Sequence, residues 1–237
     1  MFKHTIPADP AATGIRYSLT FRTVSWRYHN STLILGDSNT DQLVFCPIDQ
    51  TCSAVGTFGK SMPGKQKSTY YVDQIDPTQC LAYSNVVVHC GINSIRKNNI
   101  RSRDDVKRVY EEFKFRLNLI RKFNKNCRLF VCPLLPTKLA DYNRKANVFN
   151  SCIWNDLVND AKLNIIVVCG FNSFCDEEGF LSNSLSSLRQ NDVLHLNGKG
   201  KGQLAKLIKT TIFQSKGSKQ GSSKLFSAVV SEGRAPT

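Results

Sequence analysis

The sequence has no apolar run near the roughly 18 residues that a transmembrane helix needs, and no charged start followed by a continuous apolar segment. It also has no C-x-x-C pair among its nine cysteines, and no Cys/His cluster with zinc spacing. Several cysteines lie in apolar runs such as RLFVC and NIIVVC, which favours buried free thiols in a reducing compartment. We therefore expect an intracellular protein without a transmembrane segment, metal or disulfide framework.

Acidic residues are few, because 18 Asp and Glu stand against 32 Lys and Arg, for a formal net charge of +14. Such a surplus attracts phosphate backbones or anionic surfaces without specifying a fold. No internal repeat is present. With 237 residues and 41% hydrophobic content, the chain can bury the core of one full-sized domain with short appendages.

Runs rich in β-branched and apolar residues alternate with stretches of helical periodicity. The runs are typical of strands buried on both faces of a parallel sheet, and the longest helix begins with Ser102 and Asp105, a capping pair. The alternation predicts an α/β fold, a three-layer α/β/α flavodoxin-like sandwich that binds ligands at the carboxyl ends of its strands. The predicted strands are 32–36, 85–91, 127–132 and 163–170, and the predicted helices are 102–124, about 138–160, and a stretch after a glycine turn at 198–202.

A candidate nucleophile follows the first predicted strand, in the sequence LGDSNT. Gly36 lets the backbone turn sharply, so that Ser38 emerges at the carboxyl edge of the sheet. The alternative is that Asp37 or Ser38 only caps the next helix.

A candidate base lies near the other end of the chain, where Asp192 precedes His195 by three residues. A serine hydroxyl attacks an ester only when an imidazole accepts its proton and a carboxylate orients that imidazole. The alternative is that these two residues form only a local hydrogen bond.

Two further strand-end positions offer hydrogen-bond donors for a developing oxyanion. Gly64 offers a backbone N–H after a proline, and Asn93 in HCGINS offers a side-chain amide. Each is also an ordinary loop residue, and Gly56 or Gly59 competes for the position of Gly64.

The order GDS, Gly64, GIN and DVLH resembles the four sequence blocks of the SGNH (GDSL-like) hydrolase superfamily, over about residues 32–213. The resemblance implies the SGNH hydrolase fold and a serine esterase that cleaves an acyl or acetyl ester, with a small acyl-ester or lipid substrate and no cofactor. The implied catalytic residues are Ser38, Asp192 and His195, and the implied oxyanion hole is Ser38, Gly64 and Asn93. Where the third block of the family usually reads G-x-N-D, this chain has Ser94, which predicts a looser loop around the Asn donor.

The segment from GTFGKS to GINS also resembles SGNH-type domains of mobile-element and viral polyproteins, including first-open-reading-frame proteins of some LINE retrotransposons. That resemblance implies contact with nucleic acid or membranes. An alternative function is therefore a nucleic-acid-binding module with little or no hydrolytic activity, whose basic and aromatic residues contact phosphates and bases. The candidate stretch contains Lys60, Lys65, Lys67, Tyr70 and Tyr71.

Residues 1–30 resemble the last strands of the AlkB-type 2-oxoglutarate and iron dioxygenases, with His4 at the distal metal ligand and Arg16 and Arg22 near the 2-oxoglutarate site. The H-x-D motif that supplies the other ligands is absent, so we expect a vestigial remnant without dioxygenase activity. We expect the SGNH-like domain over residues 31–213 and a flexible basic tail over 214–237, which is rich in Gly, Ser and Lys.

The stretch AVGTFGKS at 54–61 satisfies a relaxed phosphate-binding loop, which raises the alternative of an NTPase. Such a loop needs an uninterrupted helix after it, and Pro63 and Gly64 interrupt one. The sequence therefore disfavours an NTPase.

Overall fold

A computed structural model of the chain describes residues 32–40, 43, 72–81 and 83–217. In this part of the chain, four parallel strands form one sheet in the order β1-β2-β3-β4. The strands are β1 (Thr32–Gly36), β2 (Asn85–His89), β3 (Arg128–Val131) and β4 (Ile165–Val167). All four predicted strands are confirmed, and the last three are shorter than the apolar runs that predicted them.

The described helices are α1 (Ile92–Ile95), α2 (Arg103–Phe123), α3 (Ala140–Cys152) and α4 (Gly198–Gly217). The helix predicted over 138–160 is α3, continued by a π-helical turn at Ile153–Leu157. The predicted capping pair of α2 is confirmed, because the Ser102 hydroxyl accepts the Asp105 N–H and the Asp105 carboxylate accepts the Ser102 N–H. None of these helices is long and apolar enough to cross a bilayer.

The sheet lies between two helical layers because side chains alternate across its faces. Leu33 and Val86 on one face pack against the apolar sides of α2 and α3. Ile34 on the other face packs against α4 and the segment before it. The predicted three-layer α/β/α sandwich with a parallel sheet is confirmed.

The predicted glycine turn at 198–202 is wrong, because these residues form the first turns of α4. Asn197 caps the helix, since its side-chain oxygen accepts the Gly200 N–H at 2.9 Å. A Cβ on Gly200 would lie 2.5 Å from the backbone oxygen of Leu185, so glycine lets the helix start close against the preceding loop. The helix runs to Gly217, past the domain boundary predicted at residue 213.

Seven cysteines lie in the described residues, and all of them are free. Cys80, Cys90, Cys127 and Cys132 are buried, as predicted, while the other three are partly exposed. Burial, with smaller contributions from neighbouring Cys127 and Asp76, raises the pKa of the Cys80 thiol to about 12. Cys80 is therefore a neutral packing residue at physiological pH.

Asn124 lies at the amino edge of the sheet, where the chain enters β2 and β3. Its side-chain amide donates to the backbone oxygens of Cys80 and Tyr83 at 2.7 and 2.8 Å, and its oxygen accepts the Cys127 N–H at 3.1 Å. One side chain thus joins the end of α2 to the segments that precede two strands.

Arg128 at the start of β3 joins the sheet to α4 at the same edge. Its guanidinium donates to the Asn85 side-chain oxygen at 2.5 Å and to the Ser215 hydroxyl at 2.9 Å. It also contacts the backbone oxygen of Ile212 at 3.4 Å.

Several sequence predictions fall outside the described residues. These are the dioxygenase-like remnant with His4, Arg16 and Arg22, the NTPase-like loop, the basic and aromatic stretch at 60–71, and the tail from 218 onward. The nucleic-acid and mobile-element interpretations that depend on them stay predictions from the sequence.

Candidate active site

Ser38, His195 and Asp192 form a continuous chain of hydrogen bonds at the carboxyl edge of the sheet. Ser38 Oγ lies 2.7 Å from His195 Nε2, although the two residues are 157 positions apart. His195 Nδ1 lies 2.8 Å from Asp192 Oδ1. Because an ionised carboxylate only accepts hydrogen bonds, the imidazole proton belongs on Nδ1, which leaves Nε2 to accept the Ser38 hydroxyl.

Asp192 is held in its ionised form. Burial opposes ionisation, but hydrogen bonds from the ring and backbone of His195, from the Ser187 hydroxyl and from the Leu194 N–H outweigh it, so the pKa of Asp192 falls to about 2. The carboxylate therefore carries its charge at neutral pH, where it stabilises a protonated imidazole.

The local hydrogen bond considered for D-x-x-H is also present, since Asp192 Oδ1 accepts the His195 backbone N–H at 3.1 Å. Leu194 and Leu196, on either side of the histidine, are buried in the hydrophobic clusters on opposite faces of the sheet. The alternation of V-L-H-L thus anchors the loop on both sides and leaves the imidazole, 43% exposed, at the surface between them.

The turn that presents Ser38 depends on close backbone approach. A Cβ on Gly36 would lie 2.1 Å from Thr40 Oγ1 and 2.9 Å from the backbone oxygen of His89, so only glycine fits. The Asp37 N–H donates to that same oxygen at 3.1 Å. The Asp37 carboxylate accepts the Asn39 N–H at 2.9 Å within the turn, and the Ser38 hydroxyl bonds to the histidine.

Asn93 lies in α1, which starts directly after β2. Its side-chain oxygen accepts a hydrogen bond from Arg96 Nη1 at 3.4 Å. Its amide nitrogen is buried and has no partner among the described residues. A buried donor of this kind can bind a developing oxyanion. Gly64, the other predicted donor, and its competitors Gly56 and Gly59 lie outside the described residues.

Ser94, which replaces the expected aspartate of the third block, is buried, and its hydroxyl accepts the Val72 N–H at 3.0 Å. This bond joins α1, which carries Asn93, to the segment that precedes β2. The predicted loosening of the loop is therefore offset by a direct hydrogen bond.

A buried Asp37–His89 pair lies beneath the site. His89 Nδ1 is 3.7 Å from Asp37 Oδ1, and both side chains are 1% exposed. Burial lowers the pKa of His89 and the Asp37 carboxylate opposes this only in part, so the imidazole is neutral. A small cavity adjoins the pair, and its lining includes Ile92 and Leu194, the chain neighbours of Asn93 and His195.

Sequence reasoning missed Asn39, which is buried beside Ser38 and hydrogen-bonds to the backbone on both sides of His195. Its type and position next to a candidate nucleophile gave no signal, because both partners lie more than 150 positions away. No group of three or more His, Cys, Asp or Glu residues within the described ranges is placed to hold a metal ion.

Neither a protein-family model nor a curated protein sequence matches this chain. Solved structures do match. A carbohydrate esterase family 3 protein from Talaromyces cellulolyticus is 17% identical, with a TM-score of 0.55, over 80% of this chain and 100% of that chain. An acetyl esterase mutant solved with an acetate ion is 18% identical, with a TM-score of 0.53, over 78% and 97%.

A GDSL-like lipase from Bacteroides thetaiotaomicron is 17% identical, with a TM-score of 0.57, over 79% of this chain and 89% of that chain. At these identities the likeness concerns architecture. The chain therefore has the α/β fold of the SGNH and GDSL hydrolases.

Proposed function

We propose that this protein is a serine esterase that cleaves an acyl or acetyl ester through an acyl-enzyme. The observation that carries the proposal is the unbroken run of hydrogen bonds from Ser38 through His195 to Asp192. The fold supports it, because the structures that share this fold include proteins described as an acetyl esterase and a carbohydrate esterase.

In this proposal the Ser38 oxygen attacks the ester carbonyl carbon while His195 Nε2 takes the hydroxyl proton. Asp192 stabilises the imidazolium that forms. The carbonyl π electrons move to the oxygen, and the Asn93 amide, the Ser38 N–H and the Gly64 N–H stabilise the oxyanion. The tetrahedral intermediate then collapses, and the alcohol leaves with the proton from His195.

Water completes the cycle. The oxygen of a water molecule attacks the acyl-enzyme carbonyl while His195 takes a proton from that water. His195 then returns the proton to the Ser38 oxygen as the carboxylic acid departs. Acylation and deacylation use the same three side chains, so one arrangement of Ser38, His195 and Asp192 serves both steps.

The substrate we favour carries a short acyl chain. The cavity beside the site, bounded by Asp37, His89, Ile92 and Leu194, is small, so it has no room for a long acyl chain. We therefore expect rates to fall from p-nitrophenyl acetate to the butyrate and octanoate esters.

The test compares wild type with Ser38→Ala on this ester series. We expect the variant to lose at least about 10³-fold in rate, because it lacks the nucleophile. Ser151→Ala is the matched control, since Ser151 is an exposed serine on α3 whose hydroxyl bonds to the Asn147 backbone oxygen within the helix. Equal rates for wild type and Ser38→Ala would refute serine catalysis.

A further inference from the structure

The Asn39 side chain bridges the turn of Ser38 and the loop of His195. Its amide nitrogen donates to the Leu194 backbone oxygen at 3.2 Å, and its oxygen accepts the Leu196 N–H at 2.9 Å. The residue is 4% exposed, so water does not compete for either bond. The two backbone groups lie on either side of His195.

Asn39 is itself fixed to the nucleophile turn. Its backbone N–H donates to the buried Asp37 carboxylate at 2.9 Å, and it follows Ser38 directly in the chain. A carboxamide has a donor and an acceptor side by side, which matches the C=O and N–H that one extended backbone edge presents. Alanine or leucine at this position would supply neither group.

Other bonds hold the histidine loop, but their partners do not lie in the turn of Ser38. The Ser187 N–H donates to the His195 backbone oxygen at 2.7 Å, and Asp192 accepts N–H groups within the loop itself. Among the described residues, the two Asn39 bonds are the direct connection between the nucleophile turn and the histidine loop, apart from the Ser38–His195 bond.

We propose that Asn39 is a positioning residue that holds the His195 imidazole within hydrogen-bond distance of Ser38 Oγ, an inference that rests on the proposed esterase function. Misplacing a base by about 1 Å costs on the order of 100-fold in rate, so a tie between the two loops has kinetic consequences. Because Asn39 touches neither reacting atom, its effect must pass through His195.

The test measures Asn39→Ala in wild type and in a His195→Ala background, with p-nitrophenyl acetate as the substrate. In wild type we expect kcat to fall about 10- to 100-fold while KM stays within about twofold. In the His195→Ala background we expect no further loss, because there is no imidazole left to place. The same loss in both backgrounds would mean a general structural role and would overturn the inference.

Asn124→Ala is the matched control, because it removes three side-chain hydrogen bonds to backbone at the opposite edge of the sheet. We expect it to lower stability and leave kcat unchanged. If it lowers kcat as much as Asn39→Ala does, the loss comes from destabilisation and the inference fails.

A second variant, Asn39→Asp, keeps the side-chain volume and the acceptor for Leu196 but places an oxygen against the Leu194 carbonyl. We expect kcat below that of wild type with KM unchanged. A wild-type kcat in this variant would show that the bond to Leu194 is dispensable and would overturn the proposal as stated.

A readout without turnover separates this inference from the esterase proposal. If wild type hydrolyses no ester, the esterase proposal fails. Hydrogen exchange of the Leu196 amide still tests whether Asn39 holds the histidine loop. We expect that amide to exchange at least about tenfold faster in Asn39→Ala, relative to the core amide of Val87, and not in Asn124→Ala. Unchanged exchange at Leu196 would overturn the inference whether or not the protein is a catalyst.

Discussion

At the amino edge of the sheet, part-buried polar side chains use their hydrogen-bonding groups to hold neighbouring segments, whereas at the carboxyl edge several buried ones have no hydrogen-bond partner among the described residues. Asn124 and Arg128 bond to segments that enter the strands and to α4. At the other edge, the amide nitrogen of Asn93, Oδ2 of Asp37 and both ring nitrogens of His89 are buried without hydrogen-bond partners among the described residues, although His89 Nδ1 lies 3.7 Å from Asp37 Oδ1.

The difference supports the proposal that the carboxyl edge receives the substrate. Leaving a buried donor or acceptor unpaired costs about 1–3 kcal/mol, so a stable fold avoids it unless the group has another use. Both edges belong to the same sheet and the same hydrophobic core, so core packing does not account for the contrast. The unpaired groups at the carboxyl edge belong to Asp37, which precedes Ser38 in the chain, to His89, which pairs with Gly36 across the sheet, and to Asn93.

The largest expected effect is that of Asp192→Asn at the carboxyl edge. An amide at this position donates to His195 Nδ1 and stabilises the wrong imidazole tautomer, so Ser38 loses its proton acceptor. We expect kcat for p-nitrophenyl acetate to fall about 10⁴-fold, measured at neutral pH.

The same variant has a stability signature that depends on pH. The pKa of Asp192 in the folded protein, about 2, lies below the unfolded value near 3.9, so its contribution is present above about pH 4 and lost as pH falls toward 2. It amounts to about 2 kcal/mol. Denaturant unfolding should show wild type more stable than Asp192→Asn at pH 7, with the gap closing near pH 2. A constant gap would contradict the assignment.

The next largest effect separates the two edges directly. Asn93→Ala should lower kcat about 10²- to 10³-fold, because it removes an oxyanion donor. Stability should stay near that of wild type, since the amide nitrogen has no described partner and the oxygen loses one long bond from Arg96 at 3.4 Å. Asn124→Ala should do the reverse. If Asn93→Ala unfolds the protein and keeps its kcat per folded molecule, the contrast between the edges is wrong.

Much of the fold could be predicted from local sequence patterns. The four strands follow apolar runs such as TLILG, and α2 follows from helical periodicity and the Ser102 cap, because these signals act within one segment. The start of α4 was missed since its three glycines indicate a turn. Only the contact of Gly200 with Leu185 explains glycine there, and that contact is tertiary.

The reactive residues of the candidate site could be predicted from the sequence, but the residues that hold them in place could not. Ser38 and His195 stand out as reactive residue types in a family-like order. Asn39 and Ser94 do not, because a carboxamide or hydroxyl that bonds to distant backbone has no sequence signature. Predicting such residues requires knowing which segments meet, and only the folded chain provides that.

The smallest effect we expect is that of Arg128→Met at the amino edge. The variant keeps the aliphatic packing but loses charged hydrogen bonds to Asn85 and Ser215, each of a type that contributes about 1.5–3 kcal/mol. Burial of the guanidinium carries a desolvation penalty, which also lowers the pKa of Arg128. Because the variant removes that penalty, part of the loss is offset. We expect a net destabilisation of about 2 kcal/mol in denaturant unfolding, with kcat per folded molecule unchanged. A fall in kcat would mean that the amino edge controls the geometry of Ser38 and His195, because Arg128 reaches the site only through β3 and α4.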